Sequence, residues 1–223
     1  MTGRRIGLLG GSFNPAHGGH RSISLFAMRA LGLDEVWWLV SPGNPLKPQA
    51  GMAPLSARLA RAREVARRAP IRVTAIEAQL GIRFTIDTLR ELVRRHPRNH
   101  FIWLMGGDNL RQFGQWKNWR GIARTMPIAV IARPGYDGRA DGSPAIGWLR
   151  RFVRPASQSI DWTNWRPPAL VLLRFRPDPR SATLLRQATP LWHREYSGRR
   201  VRDALTRHEY VPEDSRRTVA SNP

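Results

Sequence analysis

Two histidines three residues apart, His17 and His20, close a glycine-rich stretch, GGSFNPAHGGH, that runs from Gly10 to His20. At that spacing two imidazoles can both donate to one anion. The effect is strongest where a turn leads into a helix, because the helix start presents unpaired backbone N–H groups and the positive end of the macrodipole. The setting here is such a turn. Ile6, Gly7, Leu8 and Leu9 read as a short buried strand, and Arg21 to Leu31 as a helix. Gly10 and Gly11 lack a β-carbon and let backbone approach a ligand closely, while Ser12 and Asn14 favour turns. A polyphosphate suits this loop: nucleotidyl transfer needs donors that hold phosphates in line and stabilise a departing pyrophosphate, with little covalent help from the protein. Capping of the helix by the two histidines is the plainer alternative. Neither GxGxxG nor GxxxxGK[ST] occurs between Gly7 and Arg21, which leaves the dinucleotide and P-loop readings without support.

Other polar groups follow other predicted strands, where ligands bind in open α/β sheets. SPGNPLKP, after the run Val36 to Val40, carries Asn44 and Lys47, and Lys47 reads either as a phosphate contact or as a solvated loop lysine. FTIDTL begins a helix at which Thr85 can act as a cap. FIWLM opens into Gly106, Gly107, Asp108 and Asn109; QWKNW holds Trp116 and Trp119; PIAVIA opens into Arg133, Pro134, Gly135 and Tyr136. Near the end, RSATLLR places Ser181 and Thr183 at a helix start and Arg186 one turn beyond Thr183, a set able to face one anion.

Composition sets limits. The chain has 223 residues, no cysteine, nine tryptophans and a formal charge of +21, and all but two of its 37 basic residues are arginine. The missing thiols exclude disulfides and thiolate chemistry. The charge predicts attraction to polyanions, yet no zinc-finger spacing, RNP-type aromatic motif or basic-zipper heptad accompanies it, so nucleic acid is expected to bind only nonspecifically. No signal-peptide pattern and no apolar run near the ~20 residues of a membrane span occur, which makes a cytoplasmic protein the expectation.

The elements alternate. Strands are expected at Val36 to Val40, Ile71 to Ile76, Phe101 to Met105, Pro127 to Ala132 and Ala169 to Phe175. Helices are expected at Ser56 to Ala69, with Ser56 near the N-cap, at Phe84 to His96, Trp148 to Val153 and Ser181 to Ala188, and at Val201 to Tyr210 as a last cover over the core. Gln158 to Pro168 reads as a loop, and the stretch from Asp137 to Pro168 carries no assignable chemistry. Strand then helix, repeated, implies an α/β fold with a Rossmann-like doubly wound parallel sheet in a single domain, because parallel neighbours need crossover connections. That domain is expected over 1–210, with 211–223 a polar flexible tail.

The loop GGSFNPAHGGH resembles the HxGH phosphate-binding segment of the nucleotidyltransferase superfamily, and within it bacterial nicotinate-nucleotide adenylyltransferases. FTIDTL, FIWLMGGDNLRQFGQW and RPGY resemble further blocks of that family, and RSATLLR resembles the superfamily's ISSTxIR, with Arg180 and Ala182 as departures. The alanine removes one hydroxyl donor. The resemblance spans about residues 4 to 210 and implies transfer of AMP from ATP to nicotinate mononucleotide, releasing pyrophosphate. It implies that Gly10, Gly11, Ser12, Phe13, His17, His20, Ser181, Thr183 and Arg186 hold ATP, with Mg²⁺ bound on its phosphates rather than by a protein cage. It further implies that Asp108 organises the nucleotide, unless it is a plain N-cap, and that Asn44, Lys47, Thr85, Trp116 and Arg133 take the mononucleotide. There Trp116 stacks on the pyridine ring, the helix start at Thr85 receives the ring carboxylate and Arg133 faces the phosphate. Nicotinamide mononucleotide and phosphopantetheine are the alternative acceptors, and a non-catalytic basic nucleic-acid-binding protein is the alternative class.

Overall fold

The computed structural model describes residues 3–43, 51–132, 144–175 and 182–211. Five strands make up one contiguous part of the sheet: β1 (Arg5–Gly11), β2 (Glu35–Val40), β3 (Ile71–Thr74), β4 (His100–Gly106) and β5 (Ile128–Ala132). A two-residue strand, β6 (Val153–Arg154), and β7 (Leu170–Arg174) complete it in the order β3-β2-β1-β4-β5-β7-β6, with every pairing parallel. This is the expected doubly wound α/β sheet. Its order reverses at β1, which pairs with β2 on one side and β4 on the other, so the crevice outside the carboxyl ends of β1 and β4 is where such a sheet receives ligands.

Alternate residues of each strand feed two cores. Ile6, Leu8, Trp37 and Leu39 face the side covered by α4 (Thr85–Arg95) and α6 (Trp119–Thr125); Leu9, Val36, Trp38 and Val40 face α1 (Gly18–Leu31) and α2 (Leu55–Ala66). Their buried indoles are satisfied: Trp37 donates to Glu35 and Trp38 to Ser24. α1 stops at Gly32, whose φ of 57° is the left-handed cap that glycine adopts without strain. Among the described residues no helix is long and apolar enough to cross a membrane.

Several boundaries differ from expectation. Residues 201–210 form no helix but an antiparallel pair, β8 (Val201–Arg202) with β9 (Glu209–Tyr210). Asp203 decides this. Its buried carboxylate accepts from the N–H groups of Leu205 and Thr206 in a local turn, and from Thr74 and Ala75 of the core, so that backbone is drawn out of helical pairing. Residues 156–164, which overlap the loop expected from Gln158 to Pro168, form a 3₁₀ helix anchored by Trp162, whose indole donates to the Leu31 carbonyl. The second helix begins one residue before Ser56, with Pro54 as its cap residue, and ends at Ala66. β3 ends at Thr74 and gives way to the short α3 (Ile76–Gln79). The helix expected from Trp148 lies earlier, as α7 (Pro144–Leu149), followed by a 3₁₀ turn.

Candidate active site

The histidine loop leaves the carboxyl end of β1 and folds onto itself. His17 is the N-cap of α1, and its Nδ1 accepts from the Gly19 N–H at 3.1 Å, while the His17 N–H donates to His20 Nδ1 at 3.2 Å. The two rings stand 4.0 Å apart, centroid to centroid. The histidines therefore do cap the helix, and in doing so they are oriented: with Nδ1 accepting, a neutral His20 carries its proton on Nε2 as a donor. Burial, aided by the neighbouring His17, pushes the His20 pKa down to about 3, so the ring is neutral at physiological pH. Phe13 builds the wall behind it, 4.8 Å from His20 and stacked on Trp38 at 5.0 Å. It holds a left-handed φ of 46°, a strained value for a residue with a β-carbon that persists because packing against these rings fixes it.

A second element closes on the same loop. Arg186, on α8 (Ala182–Ala188), donates to the Asn14 carbonyl at 2.5 Å and to the Thr183 hydroxyl at 3.3 Å. Asn14 is itself buried, its amide donating to Gly51 and accepting from Ala53, which moors the loop to the approach to α2.

At the reversal point lies a cavity of about 340 Å³. Gly10, Gly11 and Ser12 form one wall, with the Trp103 ring against Gly10; Ser41 and Gly43 form a second, and Glu77, Arg83, Phe84, Thr85, Trp116 and Lys117 line the rest. Gly10 is needed here for packing as well as for ligand approach, since a β-carbon would come within 2.5 Å of the Trp103 ring. Trp116 meets Trp103 and Phe113 edge-on, leaving it partly exposed to the cavity it lines. Lys117 places its ammonium 4.0 Å from the centre of the Phe84 ring. Glu77 is buried enough that its pKa rises to about 7, against the hydroxyl donation from Thr88 that pulls it down. A larger cavity of about 1110 Å³, walled in part by Leu110, Leu149, Leu170 and Leu172, contains none of the sequence-predicted site residues, so volume alone does not select the site.

Residues 8–188 match the cytidylyltransferase-like family. A probable nicotinate-nucleotide adenylyltransferase of Erythrobacter litoralis is 63% identical over 91% of this chain and 92% of its own length, and one of Parvibaculum lavamentivorans is 50% identical over 83% and 92%. The chain belongs to the cytidylyltransferase-like family and, within it, to the nicotinate-nucleotide adenylyltransferases. A solved structure of Plasmodium falciparum nicotinic acid mononucleotide adenylyltransferase, complexed with NaAD, superposes with a TM-score of 0.59 at 16% identity, covering 82% of this chain and 83% of that one, which supports the fold.

Of the residues this family's motifs single out, Phe13, His17, His20 and Arg186 come together around the histidine loop. Gly10, Gly11 and Ser12 join that loop to the cavity holding Thr85 and Trp116. Thr85 does not cap its helix: it is the first residue of α4, the cap residue is Phe84, and no side chain caps the helix. Asp108 is exposed in the first turn of α5 (Gly107–Gln112) and outside the cavity lining, which takes Asn109 instead; the cap residue is Gly106. Thr183 is exposed and touches Arg186. Asn44, Lys47, Arg133 and Ser181 lie outside the described residues. Sequence reasoning gives no role to Glu77, Arg83, Asn109 and Lys117: Lys117 lies within QWKNW and Asn109 beside the favoured Asp108, Arg83 directly precedes FTIDTL, and Glu77 carries no motif signal.

Proposed function

We propose that this chain transfers the adenylyl group of ATP to nicotinate mononucleotide, giving nicotinate adenine dinucleotide and pyrophosphate. The observation that carries the reading is the oriented, neutral His20 on a loop that Arg186 binds through the Asn14 carbonyl and whose first residues also line a cavity containing Trp116 and the uncapped start of α4. The mononucleotide's 5′-phosphate oxygen attacks the α-phosphorus of ATP in line; that O–P bond forms as the bond from the α-phosphorus to the α,β-bridging oxygen breaks, and pyrophosphate leaves with the electron pair. No enzyme-bound covalent intermediate is required. His20 Nε2–H, His17, the Arg186 guanidinium and the Gly10 to Phe13 backbone would receive the charge that grows on the phosphates.

At the far end the pyridine ring would lie against Trp116, its cationic nitrogen over the indole face. The ring carboxylate would meet the N-terminus of α4 at Thr85, with Arg83 and Lys117 lining the same end. Asn44, Lys47, Arg133 and Ser181 complete the contacts by their motifs, and Asp108 by its place beside Asn109. Mg²⁺ would arrive with ATP, bound mainly by phosphate oxygens and water, which calls for no protein-built cage. In this reading residues 1–210 act as one nucleotidyltransferase domain, and the reaction would run in the cytoplasm, with both charged nucleotide substrates kept in one compartment by their poor membrane permeability.

Incubating the purified protein with Mg-ATP and nicotinate mononucleotide, and separating the products, tests this. The dinucleotide is expected in amounts equal to pyrophosphate, and in larger amounts than the amide dinucleotide formed from nicotinamide mononucleotide. Formation of the amide product alone would overturn the role given to the α4 terminus.

A further inference from the structure

Behind the two walls of the cavity sits a charge that takes no direct part in the transfer step. Arg58, in the first turns of α2, is 1% exposed. Its Nε donates to the Ala53 carbonyl at 2.9 Å, Nη1 to the carbonyls of Ser12 at 2.8 Å and Ser41 at 2.6 Å, and Nη2 to that of Pro42 at 3.1 Å. Every acceptor is a neutral carbonyl. Among the described residues Arg58 makes no ion pair, although burying an uncompensated guanidinium is costly. Consistent with this, burial alone draws its pKa down to about 10, with no carboxylate opposing the shift.

The acceptors identify what that cost secures. Ser12 ends the glycine wall and Ser41 begins the facing wall, which are otherwise joined through the bond from the Ser41 N–H to the Gly11 carbonyl. A planar guanidinium is the side chain able to hold all four carbonyls from one point. Because the peptide after Ser12 is planar and trans, its N–H, that of Phe13, points opposite to the carbonyl held by Arg58. The same holds for the Gly43 N–H behind the Pro42 carbonyl.

We infer that Arg58 is a positioning residue for adenylyl transfer, which locks the glycine loop and the loop after β2 together, turns their backbone donors outward and lends an unneutralised positive charge to the triphosphate subsite. The inference rests on the adenylyl-transfer reading. Arg58 touches no substrate itself; it acts through Ser12, Ser41 and Pro42.

The variants are Arg58→Lys, which keeps the charge but cannot span four carbonyls, and Arg58→Gln, which loses both. The probes are inorganic triphosphate and adenosine as inhibitors of pyrophosphate release, with thermal unfolding run on each protein. In Arg58→Gln the triphosphate inhibition constant is expected to rise about 10–100-fold, and in Arg58→Lys about 3–10-fold, with kcat falling in the same order and adenosine inhibition unchanged. An unchanged triphosphate constant in a folded variant overturns the inference. So does an equal loss for adenosine, or failure of both variants to fold, since each would make Arg58 a determinant of the fold alone. A wild-type protein that releases no pyrophosphate would instead count against the adenylyl-transfer reading.

Discussion

The two ends of the site are built on opposite plans. The phosphate end is one contiguous loop that satisfies itself: His17 caps α1, His20 accepts from the His17 backbone, and Phe13 and Trp38 wall the rings in. The ring end is assembled from segments far apart in the chain, around a helix start that no side chain caps and beside two cations and a half-buried acid. Their electrostatics are opposed too. Burial keeps the base His20 unprotonated at neutral pH, whereas it keeps the acid Glu77 close to protonation. The first plan suits chemistry, because donors fixed before the substrate arrives need no reorganisation as charge develops. The second suits selection between acceptors, because an uncapped helix start and two cations favour a ligand that carries a negative charge.

If the phosphate end carries the chemistry, His20→Ala should lower kcat about 10²–10³-fold with the fold intact, as loss of one preorganised donor does elsewhere. A kcat within a few-fold of wild type would place the chemistry away from the loop. Arg186→Ala should follow, reducing kcat/KM for ATP about 10–100-fold through its charge-assisted contacts, with the acceptor's KM moving less. Equal changes in both KM values would join the two ends that the comparison separates. Trp116→Ala should raise the acceptor's KM about tenfold while leaving ATP's near wild type, and a fall in kcat at unchanged KM would contradict stacking.

The smallest effects concern stability and have opposite signs at the two ends. His20 has a folded pKa of about 3 below an ordinary value of 6.5, so the unfolded chain binds the extra proton and stability is lost as pH falls from about 6.5 toward 3. Glu77 has a folded pKa of about 7 above an ordinary 4.5, so its contribution is complete below 4.5 and is lost as pH rises through 7. Thermal unfolding from about pH 4 to about pH 8 should show Glu77→Gln gaining on wild type only toward the alkaline side. His20→Gln should lose less than wild type on acidification. Parallel curves for all three proteins would remove the contrast.

The same division governs what is legible in the sequence. The histidine loop is legible because its parts are adjacent: strand, glycines, turn residues and helix start follow one another in a single run, and β1, α1 and the parallel sheet form where hydrophobic periodicity puts them. What the rings do is only half legible, since capping and phosphate binding are compatible with one arrangement instead of being alternatives. The ring end is visible at Thr85 and Trp116 alone. Glu77 joins it because β3 stops at Thr74, two residues before the expected end, so that a short helix carries the acid into the cavity. The motif favours Asp108 over Asn109, yet the turn of α5 presents the asparagine to the cavity. The C-terminal hairpin reads as a helix in the sequence because a buried aspartate's pull on distant backbone leaves no periodic trace.

Pyrophosphate release from Mg-ATP, measured with nicotinate mononucleotide and with nicotinamide mononucleotide for wild type and His20→Ala side by side, tests directly whether the loop performs the transfer and the far end selects the acceptor. The expected result is faster release with the nicotinate form in wild type, lost for both acceptors in a folded His20→Ala protein. Undiminished release by the variant would contradict the assignment of the chemistry to the histidine loop.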